Sequence, residues 1–495
     1  MKTEPDLKSR DFLWFSLAAA PILAIACLLP VYPNDYWWYL RLGGEILSGG
    51  SIPQVETWSA TQAGEPVVYQ AWLAALVFLG LDWAGGVPAV VLARGLSLGV
   101  FYASIFLASR RVGAGARLAA GLVVLAALVG SSNWGVRPQV FTYPLFGLAL
   151  LILVNWHMGR YRWLWLLPFI TLLWVNLHGS FPLVFLLASA ALVSGTGDRR
   201  RLSAVLAVMV LAALLNPRGW GAWGYFWQML SDPSVRRFSS EWKPAALVGW
   251  QSALFFAWLL AGIPLAAYSI RRLPPSYWLW WLGFGWLALS GVRNVIWFSA
   301  LLAVLSAALL VPLLSGKPAL NAHPTRARIN YWIGSILLFL TFLFLPGVRE
   351  RWWAQAPPPL SPDTPVQAVG WLETHPELKG RMWNDLTFSS YLIYALPEQP
   401  VWIDTRFEVY PPERWERYQE IAGAGQGWQE RLVEEEIDLV VANREAQSAL
   451  IGALQHAPGW CLRYEDSTTA IFSRSGPGSG CPEIVVGRQD SRLNP

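Results

Sequence analysis

The chain has 495 residues, of which 54% are hydrophobic and only 14% are charged, and its mean hydropathy is +0.37. This composition is too apolar for an ordinary soluble protein and indicates an integral membrane protein. The formal net charge of +5 does not indicate nucleic-acid binding, because the basic residues form short, scattered clusters between apolar segments and no continuous patch.

The first apolar segment, residues 12–31, follows charges of both signs and contains no small-residue cleavage site of the A-x-A kind. We therefore expect a retained membrane span and not a signal peptide. A helix needs roughly 20 apolar residues to cross a bilayer. On this criterion the sequence predicts about eleven spans, at residues 12–31, 87–109, 116–132, 139–157, 163–178, 181–195, 201–216, 250–270, 276–292, 295–314 and 329–346.

The loop after the first span opens with an acidic residue, Asp35, directly before the amphipathic segment YWWYLRLGGEIL at residues 36–47. We expect this segment to be a helix on the membrane surface, with its tryptophans in the interface. Asp35 is a natural N-cap for such a helix. Two explanations of Asp35 are therefore open: helix capping, and a carboxylate that faces a cavity outside the membrane.

The same loop contains further charged residues that are candidate substrate ligands. Arg41 and Glu45 are four residues apart on the predicted helix, so an ion pair between them explains both equally well. Glu56 and Glu65 follow in the loop, and their carboxylates suit a hard divalent cation bound together with Asp35. Two such ligands on a loop do not define a metal site, so we assign no metal ligand and leave a divalent cation open.

Residues 67–86 are also apolar, but Asp82 and a glycine pair interrupt them, so we expect a second helix on the membrane surface. With this arrangement, sixteen Lys and Arg residues before residue 347 fall on one side of the membrane and eight on the other. Cytoplasmic loops are the ones that collect Lys and Arg. We therefore predict a multi-pass protein of the cytoplasmic membrane with its N-terminus inside and its C-terminal residues outside.

Polar residues recur in the other loops that this topology places outside. Ionisable groups at membrane depth are costly, so their recurrence on one face predicts a shared cavity. Arg137, Arg293 and His178 are candidate cations for a lipid phosphate, although snorkelling explains either arginine and a tight turn explains the histidine. A surface pair with Lys243 is an alternative for Glu241. The candidate substrate-binding residues in these loops are Arg137, Asn176, His178, Glu241 and Arg293.

After residue 346 the composition becomes that of a soluble domain. The predicted divisions are a membrane domain at 1–346, a Pro-rich linker at 347–365, a small α/β domain at 366–475 and a tail at 476–495. Within the α/β domain, residues 366–378 and the segments RWERYQEI and WQERLVEEE are predicted helices. PVWID, IDLVVA and TTAIFSR are predicted strands.

Asp404 and Arg406 follow the predicted strand PVWID, at the strand end where α/β sheets usually bind ligands. We expect them to contact the acceptor, while a buried structural pair explains them at least as well. Cys461 and Cys481 either form a disulfide in an oxidising compartment or stay free thiols. No cysteine spacing typical of a zinc site exists in the sequence.

The order of these features resembles the C-type (GT-C) membrane glycosyltransferases, which use polyprenyl-phosphate sugars and include protein O-mannosyltransferases, aminoarabinose transferases and oligosaccharyltransferases. The resemblance rests on a first span, Asp35, the surface helix, the G-x-I-P segment at residues 50–53, a second surface helix at about 69–84, and a second span that ends in RR. DYWWYLRLG, SIPQVETWS, VRPQ, NLHGSF, NPRG and IDTRFEVY also resemble a narrower group of bacterial membrane proteins related to that superfamily.

The resemblance implies an α-helical polytopic membrane protein of the GT-C type, with interfacial helices in the first outer loop and a small extracytoplasmic α/β domain. It also implies sugar transfer from a polyprenyl-phosphate donor to a glycan, lipid or protein acceptor, with Asp35 as the catalytic carboxylate. Many members have two adjacent acids there, whereas Asn34 and Tyr36 flank Asp35 in this chain. A non-catalytic scaffold and a transporter of lipid-linked intermediates are the alternatives.

Overall fold

The computed structural model describes residues 4–269, 273–314, 327–378, 380–475 and 481–487. The chain divides into two compact units. The first, here the helical unit, contains Met1–Leu29, Val87–Phe226 and Ser240–Ala356. The second, here the mixed unit, contains Pro30–Gly86, Trp227–Ser239 and Pro357–Pro495.

Helices dominate the part of the chain that the structure describes. The first ten are α1 (Glu4–Leu28), α2 (Tyr36–Gly49), α3 (Trp72–Arg111), α4 (Ala116–Gly130), α5 (Tyr143–His157), α6 (Leu167–Leu177), α7 (Pro182–Ser194), α8 (Arg199–Ala213), α9 (Gly221–Ser231) and α10 (Pro233–Phe238). The others are α11 (Gly249–Ser269), α12 (Pro275–Ser290), α13 (Val295–Leu314), α14 (Ala327–Leu340), α15 (Val366–Glu373), α16 (Ser389–Ala395), α17 (Pro412–Ala422), α18 (Trp428–Glu434) and α19 (Ser448–His456). A kink at Gly85 and Gly86 divides α3.

Among the described residues, 7 helices are long and apolar enough to cross a membrane. They are Lys8–Leu28, Trp72–Arg111, Ala116–Asn133, Pro138–His157, Gly249–Tyr268, Val292–Leu314 and Ala327–Phe344, with two shorter apolar helices at Leu164–Leu177 and Pro182–Val193. Each of the eleven predicted spans overlaps one of the helices from α1 to α14. The prediction of a polytopic helical membrane protein is confirmed, and the number of about eleven spans stays a prediction.

Close packing of small residues holds the helical unit together. Helix α13 is apolar on all sides and is buried continuously from Val295 to Leu309, as expected of a central helix. A side-chain carbon added at Gly130 of α4 would lie 3.1 Å from Ile296 of α13, and one at Gly147 of α5 would lie 3.0 Å from Ser104 of α3. These glycines therefore allow the helix backbones to approach closely, as is common between membrane helices.

A five-stranded sheet lies in the mixed unit, in the order β1-β2-β4-β3-β5. Its strands are β1 (Arg381–Asn384), β2 (Ile437–Asn443), β3 (Trp460–Glu465), β4 (Thr469–Arg474) and β5 (Val485–Val486). Strand β4 is antiparallel to both β2 and β3, whereas β1 with β2 and β3 with β5 are parallel pairs. A disulfide joins Cys461 of β3 to Cys481, which decides between the two possibilities that the sequence left open.

Most predicted elements of the α/β domain are present, as α15, α17, α18, β2 and β4. The prediction of a strand at PVWID is wrong, because Val401 forms only an isolated bridge with Ser59. The side chain of Asn384 satisfies the next backbone groups instead: its Oδ1 accepts from the Trp402 amide at 2.8 Å and its Nδ2 donates to the Ile403 carbonyl at 3.0 Å. Residues 404 and 406 therefore do not follow a strand of the sheet.

The mixed unit combines the first predicted outer loop with the C-terminal residues. The amide of Val31 donates to the Pro359 carbonyl at 2.9 Å, and the amide of Ser361 donates to the Val31 carbonyl at 2.9 Å. The predicted domain boundaries stay a prediction, but Pro30–Gly86 packs as one compact body with the residues from Pro357 onward.

Helix α2 is largely buried inside the mixed unit. Trp37 and Trp38 are each only 6% exposed. The ring of Trp37 lies 4.8 Å from that of Tyr391 and 5.4 Å from that of Tyr394, both on α16. The expectation that these tryptophans lie in the membrane interface is therefore wrong, because protein side chains cover the rings.

Candidate functional site

Asp35 stands at the N-cap position of α2, but its side chain makes no capping hydrogen bond. Its Oδ1 instead accepts a hydrogen bond from the hydroxyl of Thr405, at 3.2 Å. The carboxylate is only partly buried. Of the two explanations for Asp35, the structure does not show capping, and the role of the carboxylate in chemistry stays a prediction.

A second carboxylate, Glu408, lies near Asp35 in the mixed unit. Burial, followed by the negative charges of Asp35 and Glu408, raises the pKa of Tyr39 well above its usual value. The tyrosine therefore stays protonated at physiological pH and is a neutral neighbour of the two acids. Sequence reasoning missed Thr405 and Glu408, although both belong to the IDTRFEVY segment that it singled out.

Arg41 and Glu45 form the predicted ion pair, with 2.8 Å between Nε and Oε1. The same Glu45 oxygen accepts from the indole nitrogen of Trp58 at 2.8 Å. Arg41 also donates through Nη1 to the Ile393 carbonyl at 3.0 Å. These bonds hold α2 against residues of the mixed unit, and they favour a structural role for the pair over a substrate-binding one.

Asp404, Arg406 and Glu56 form a buried ionic cluster, with exposed fractions of 0%, 4% and 1%. The guanidinium donates to both carboxylate oxygens of Asp404, at 2.9 and 2.6 Å, and to Oε2 of Glu56 at 2.6 Å. The other Glu56 oxygen accepts the amides of Trp58 and Ser59, at 2.6 and 2.9 Å. The structure therefore contains the buried Asp404–Arg406 pair that the sequence left open as an alternative, and Glu56 adds a second carboxylate to it.

Aromatic residues enclose the cluster. The hydroxyl of Tyr410 donates to Asp404 at 2.6 Å, and Arg406 donates to the hydroxyl of Tyr69 at 2.7 Å. The guanidinium carbon lies 4.6 Å from the centre of the Trp58 ring. Burial opposes the charge on Arg406, but Asp404, Tyr69 and Glu56 outweigh it and raise the pKa of the guanidinium above its usual range.

Direct substrate contact by the buried cluster, which we predicted for Glu56, Asp404 and Arg406, does not agree with their burial. Glu56 is also not available for the divalent cation that was left open, because Arg406 and two amides occupy its oxygens. Glu65 lies on the surface, and its backbone carbonyl accepts the Glu56 amide at 2.8 Å. Among the described residues, no group of three or more His, Cys, Asp or Glu residues is arranged to bind a metal ion.

In the helical unit, Arg137, Arg293 and His178 lie close enough to interact electrostatically. The hydrogen bonds of the His178 ring do not agree with the cationic role predicted for it. Its Nδ1 accepts the Ser180 amide at 3.1 Å, which assigns the ring proton to Nε2.

Glu241 pairs with the guanidinium of Arg137 and not with Lys243, so the alternative of a Glu241–Lys243 pair is wrong. Nearby, the Lys243 carbonyl accepts the Val292 amide at 3.1 Å, which joins this loop to the turn that contains Arg293. The guanidinium of Arg293 lies 4.8 Å from the centre of the Trp242 ring. The two arginines and Glu241 thus belong to one polar cluster of the helical unit.

Asn176 has a structural task that its sequence context did not indicate. Its amide nitrogen donates to the Leu172 carbonyl at 2.9 Å and to the Leu215 carbonyl at 3.0 Å. The residue is 6% exposed and connects α6 to the end of α8. The amide nitrogen is therefore occupied, which argues against the predicted substrate contact through this group.

No model of a known protein family matches the sequence, and no curated protein matches it. Solved structures do match. The archaeal oligosaccharyltransferase AglB from Archaeoglobus fulgidus, solved with an inhibitory peptide and a dolichol-phosphate, is similar with a TM-score of 0.58 and 12% identity, over 95% of this chain and 75% of AglB. The arabinofuranosyltransferase AftD from Mycobacteria is similar with a TM-score of 0.55 and 18% identity, over 93% of this chain and 41% of AftD.

Identities this low show a common fold and nothing finer. The match nevertheless covers almost the whole chain. Both solved proteins are glycosyltransferases of the C type. The expectation drawn from Asp35 and the first loop is thereby confirmed at the level of the fold: this chain has the GT-C fold of the C-type membrane glycosyltransferases.

Proposed function

We propose that the chain is a membrane glycosyltransferase that transfers a sugar from a polyprenyl-phosphate donor to an acceptor at the outer face of the cytoplasmic membrane. The fold supports this proposal, because AglB is by name an oligosaccharyltransferase and AftD is an arabinofuranosyltransferase. AglB was solved with a dolichol-phosphate, which is a polyprenyl-type lipid phosphate. No nucleotide is needed for such a donor, and the sequence contains no phosphate-binding loop of the G-x-x-x-x-G-K-S/T kind.

The observation that carries the proposal is the state of Asp35. By the resemblance described above it matches the acidic position of the superfamily, its side chain does not cap the helix, and its carboxylate accepts the Thr405 hydroxyl. In the proposed reaction Asp35 takes the proton of an acceptor hydroxyl as the hydroxyl oxygen bonds to the anomeric carbon. The bond between that carbon and the phosphate oxygen breaks, and the phosphate leaves with the electron pair.

Arg137 and Arg293 are the proposed ligands of the donor phosphate, since planar guanidinium groups suit phosphate oxygens. Because Nδ1 of His178 accepts the Ser180 amide, its proposed contribution is a hydrogen bond from Nε2–H and not a charge. Desolvation by the surrounding protein strengthens such contacts. The net positive charge left on the two arginines determines how strongly they attract a phosphate. Glu241 already neutralises part of that charge through its pair with Arg137.

Substitutions at Glu241 and at Arg137 are therefore expected to change the affinity for a lipid phosphate in opposite directions. Glu241→Gln removes the competing carboxylate and should strengthen binding of undecaprenyl phosphate, while Arg137→Gln should weaken it by about 10-fold, as for one lost charge-assisted hydrogen bond. Native mass spectrometry of the purified protein with added undecaprenyl phosphate measures both. Glu398→Gln, an exposed acid in the mixed unit, is the control. Equal weakening by Glu241→Gln and Arg137→Gln would count against a phosphate site.

A transporter of lipid-linked sugars is the second candidate, because it would also need cations near the phosphate. An assay in detergent distinguishes the two functions, because transport needs two compartments and sugar transfer does not. Purified protein is mixed with detergent-solubilised membranes from a strain that lacks this chain, and the polyprenyl-linked sugars are followed by mass spectrometry. A transferase moves sugar from the lipid to a new product under these conditions. A transporter or scaffold leaves the lipid-linked pool unchanged, and that result would overturn the proposal.

A further inference from the structure

The N-terminus of α2 is capped by a side chain that is distant in sequence. The amide of Trp38, the third residue of the helix, donates to the hydroxyl oxygen of Ser390 at 3.2 Å. The Ser390 hydroxyl donates in turn to the backbone carbonyl of Asn34. An N-cap side chain normally accepts the amide of the second or third helical residue. Ser390, fully buried near the start of α16, therefore does what the residue at position 35 would ordinarily do.

Asp35 is left with a different partner. Its carboxylate accepts the Thr405 hydroxyl, and it makes no bond to the first turn of its own helix. Thr405 lies between Asp404 and Arg406, whose paired side chains are buried. Because both of its neighbours are fixed, Thr405 holds its hydroxyl in a defined position. A residue that supports a catalytic side chain needs such a fixed position.

We propose that Ser390 and Thr405 are positioning residues for Asp35: Ser390 takes over the capping of α2, and Thr405 orients the carboxylate that is thereby released. The catalytic part of this inference rests on the proposed function, whereas the capping part does not. A carboxylate that caps a helix directs its oxygens at backbone amides. Asp35 has helical backbone angles, φ −52° and ψ −30°, whereas a capping residue has extended ones. Without Ser390, the backbone at Asp35 is therefore expected to change so that its side chain turns into the cap, and the carboxylate loses the orientation given by Thr405.

A stability cycle tests the capping part independently of any activity. Asp35→Ala, Ser390→Ala and the double variant are purified in detergent, and their melting temperatures are compared. Asp35→Ala alone should change the melting temperature little, and Ser390→Ala should lower it by about 2 °C. In the Ser390→Ala background, Asp35→Ala should cost an additional 2 °C or so, because it removes the replacement cap. Additive effects, or an Asp35→Ala effect as large as that of Ser390→Ala, would overturn the inference.

A second pair of variants tests the orientation of the carboxylate. Thr405→Val removes the hydroxyl at constant shape, and it should lower the turnover number by about 10-fold with the KM for the lipid-linked sugar unchanged. Thr405→Ser keeps a hydroxyl and should restore the turnover number. The assay is the transfer of sugar from the solubilised membrane extract of the deletion strain.

The outcomes distinguish the inference from the function on which it rests. If the wild-type protein transfers no sugar, the proposed function fails. If Asp35→Asn leaves transfer unchanged, another group takes the proton, and the catalytic part of this inference fails while the function stands. If Asp35→Asn abolishes transfer but Thr405→Val has the turnover of the wild type, the role of Thr405 fails while the function stands. An equal loss in Thr405→Ser and Thr405→Val would show that a hydroxyl at this position is not sufficient to restore the turnover number, and it would also overturn the inference.

Discussion

Asp35→Asn is expected to lower the rate of sugar transfer by about 10²- to 10⁴-fold, the usual contribution of a general base. An amide cannot take the acceptor proton, but its carbonyl can still accept the Thr405 hydroxyl, so the local geometry is retained. Because the side chain does not cap α2, the melting temperature should be almost unchanged. The measurement is the initial rate of loss of lipid-linked sugar in the detergent assay, together with thermal unfolding.

The matched control is Asp438→Asn, the same substitution at an exposed position of β2 in the same unit. It should have the rate and the melting temperature of the wild type. A full rate in Asp35→Asn would show that another group takes the proton. Loss of folded protein in Asp35→Asn would show instead that the carboxylate has a structural task, and then a low rate would say nothing about catalysis.

Arg406→Met is expected to lower the free energy of unfolding by about 3–5 kcal/mol, the range for breaking a buried ion pair from one side. The methionine fills a similar volume, but Asp404 and Glu56 would be left buried without their cation. Hydrogen bonds to both carboxylates would be lost as well. Thermal or urea unfolding of the purified protein measures the loss, and a very low yield of folded protein is the extreme form of the same result.

Arg237→Met is the control for this experiment, because Arg237 pairs with Glu416 in the same unit but with its side chain 63% exposed. An exposed pair contributes only about 0–1 kcal/mol. Adding Glu56→Gln and Asp404→Asn to Arg406→Met removes the unpaired charges and should recover part of the loss. Similar stabilities of Arg406→Met and Arg237→Met would contradict the role of the buried cluster.

Apolar length was sufficient to place the predicted spans on helices. All eleven predicted spans fall on helices, since a stretch of apolar residues in a membrane has few alternatives to an α-helix. The Arg41–Glu45 pair was predictable for a similar reason, because its four-residue spacing is local. The position of Asp35 was also found correctly, directly before α2.

Partners that are distant in sequence were not predictable from a single sequence. Arg406 and Glu56 are 350 positions apart, and nothing local indicates that they meet. The pairing of Glu241 with Arg137 was missed for the same reason, since a basic neighbour two residues away was the obvious partner. PVWID has the composition of a buried strand, but the Trp402 amide and the Ile403 carbonyl bond to the side chain of Asn384, which a pattern of residue types does not reveal.

The separation of Glu56 from Arg406 has a consequence for how the protein is made. A ribosome adds about 5–20 residues per second, so the interval of 350 residues corresponds to about 20–70 s between the synthesis of the two partners. During that time Asp35 lacks Thr405, which follows it by 370 residues, and Ser390 as well. A growing chain therefore holds Asp35 without these two partners until residue 405 has been synthesised.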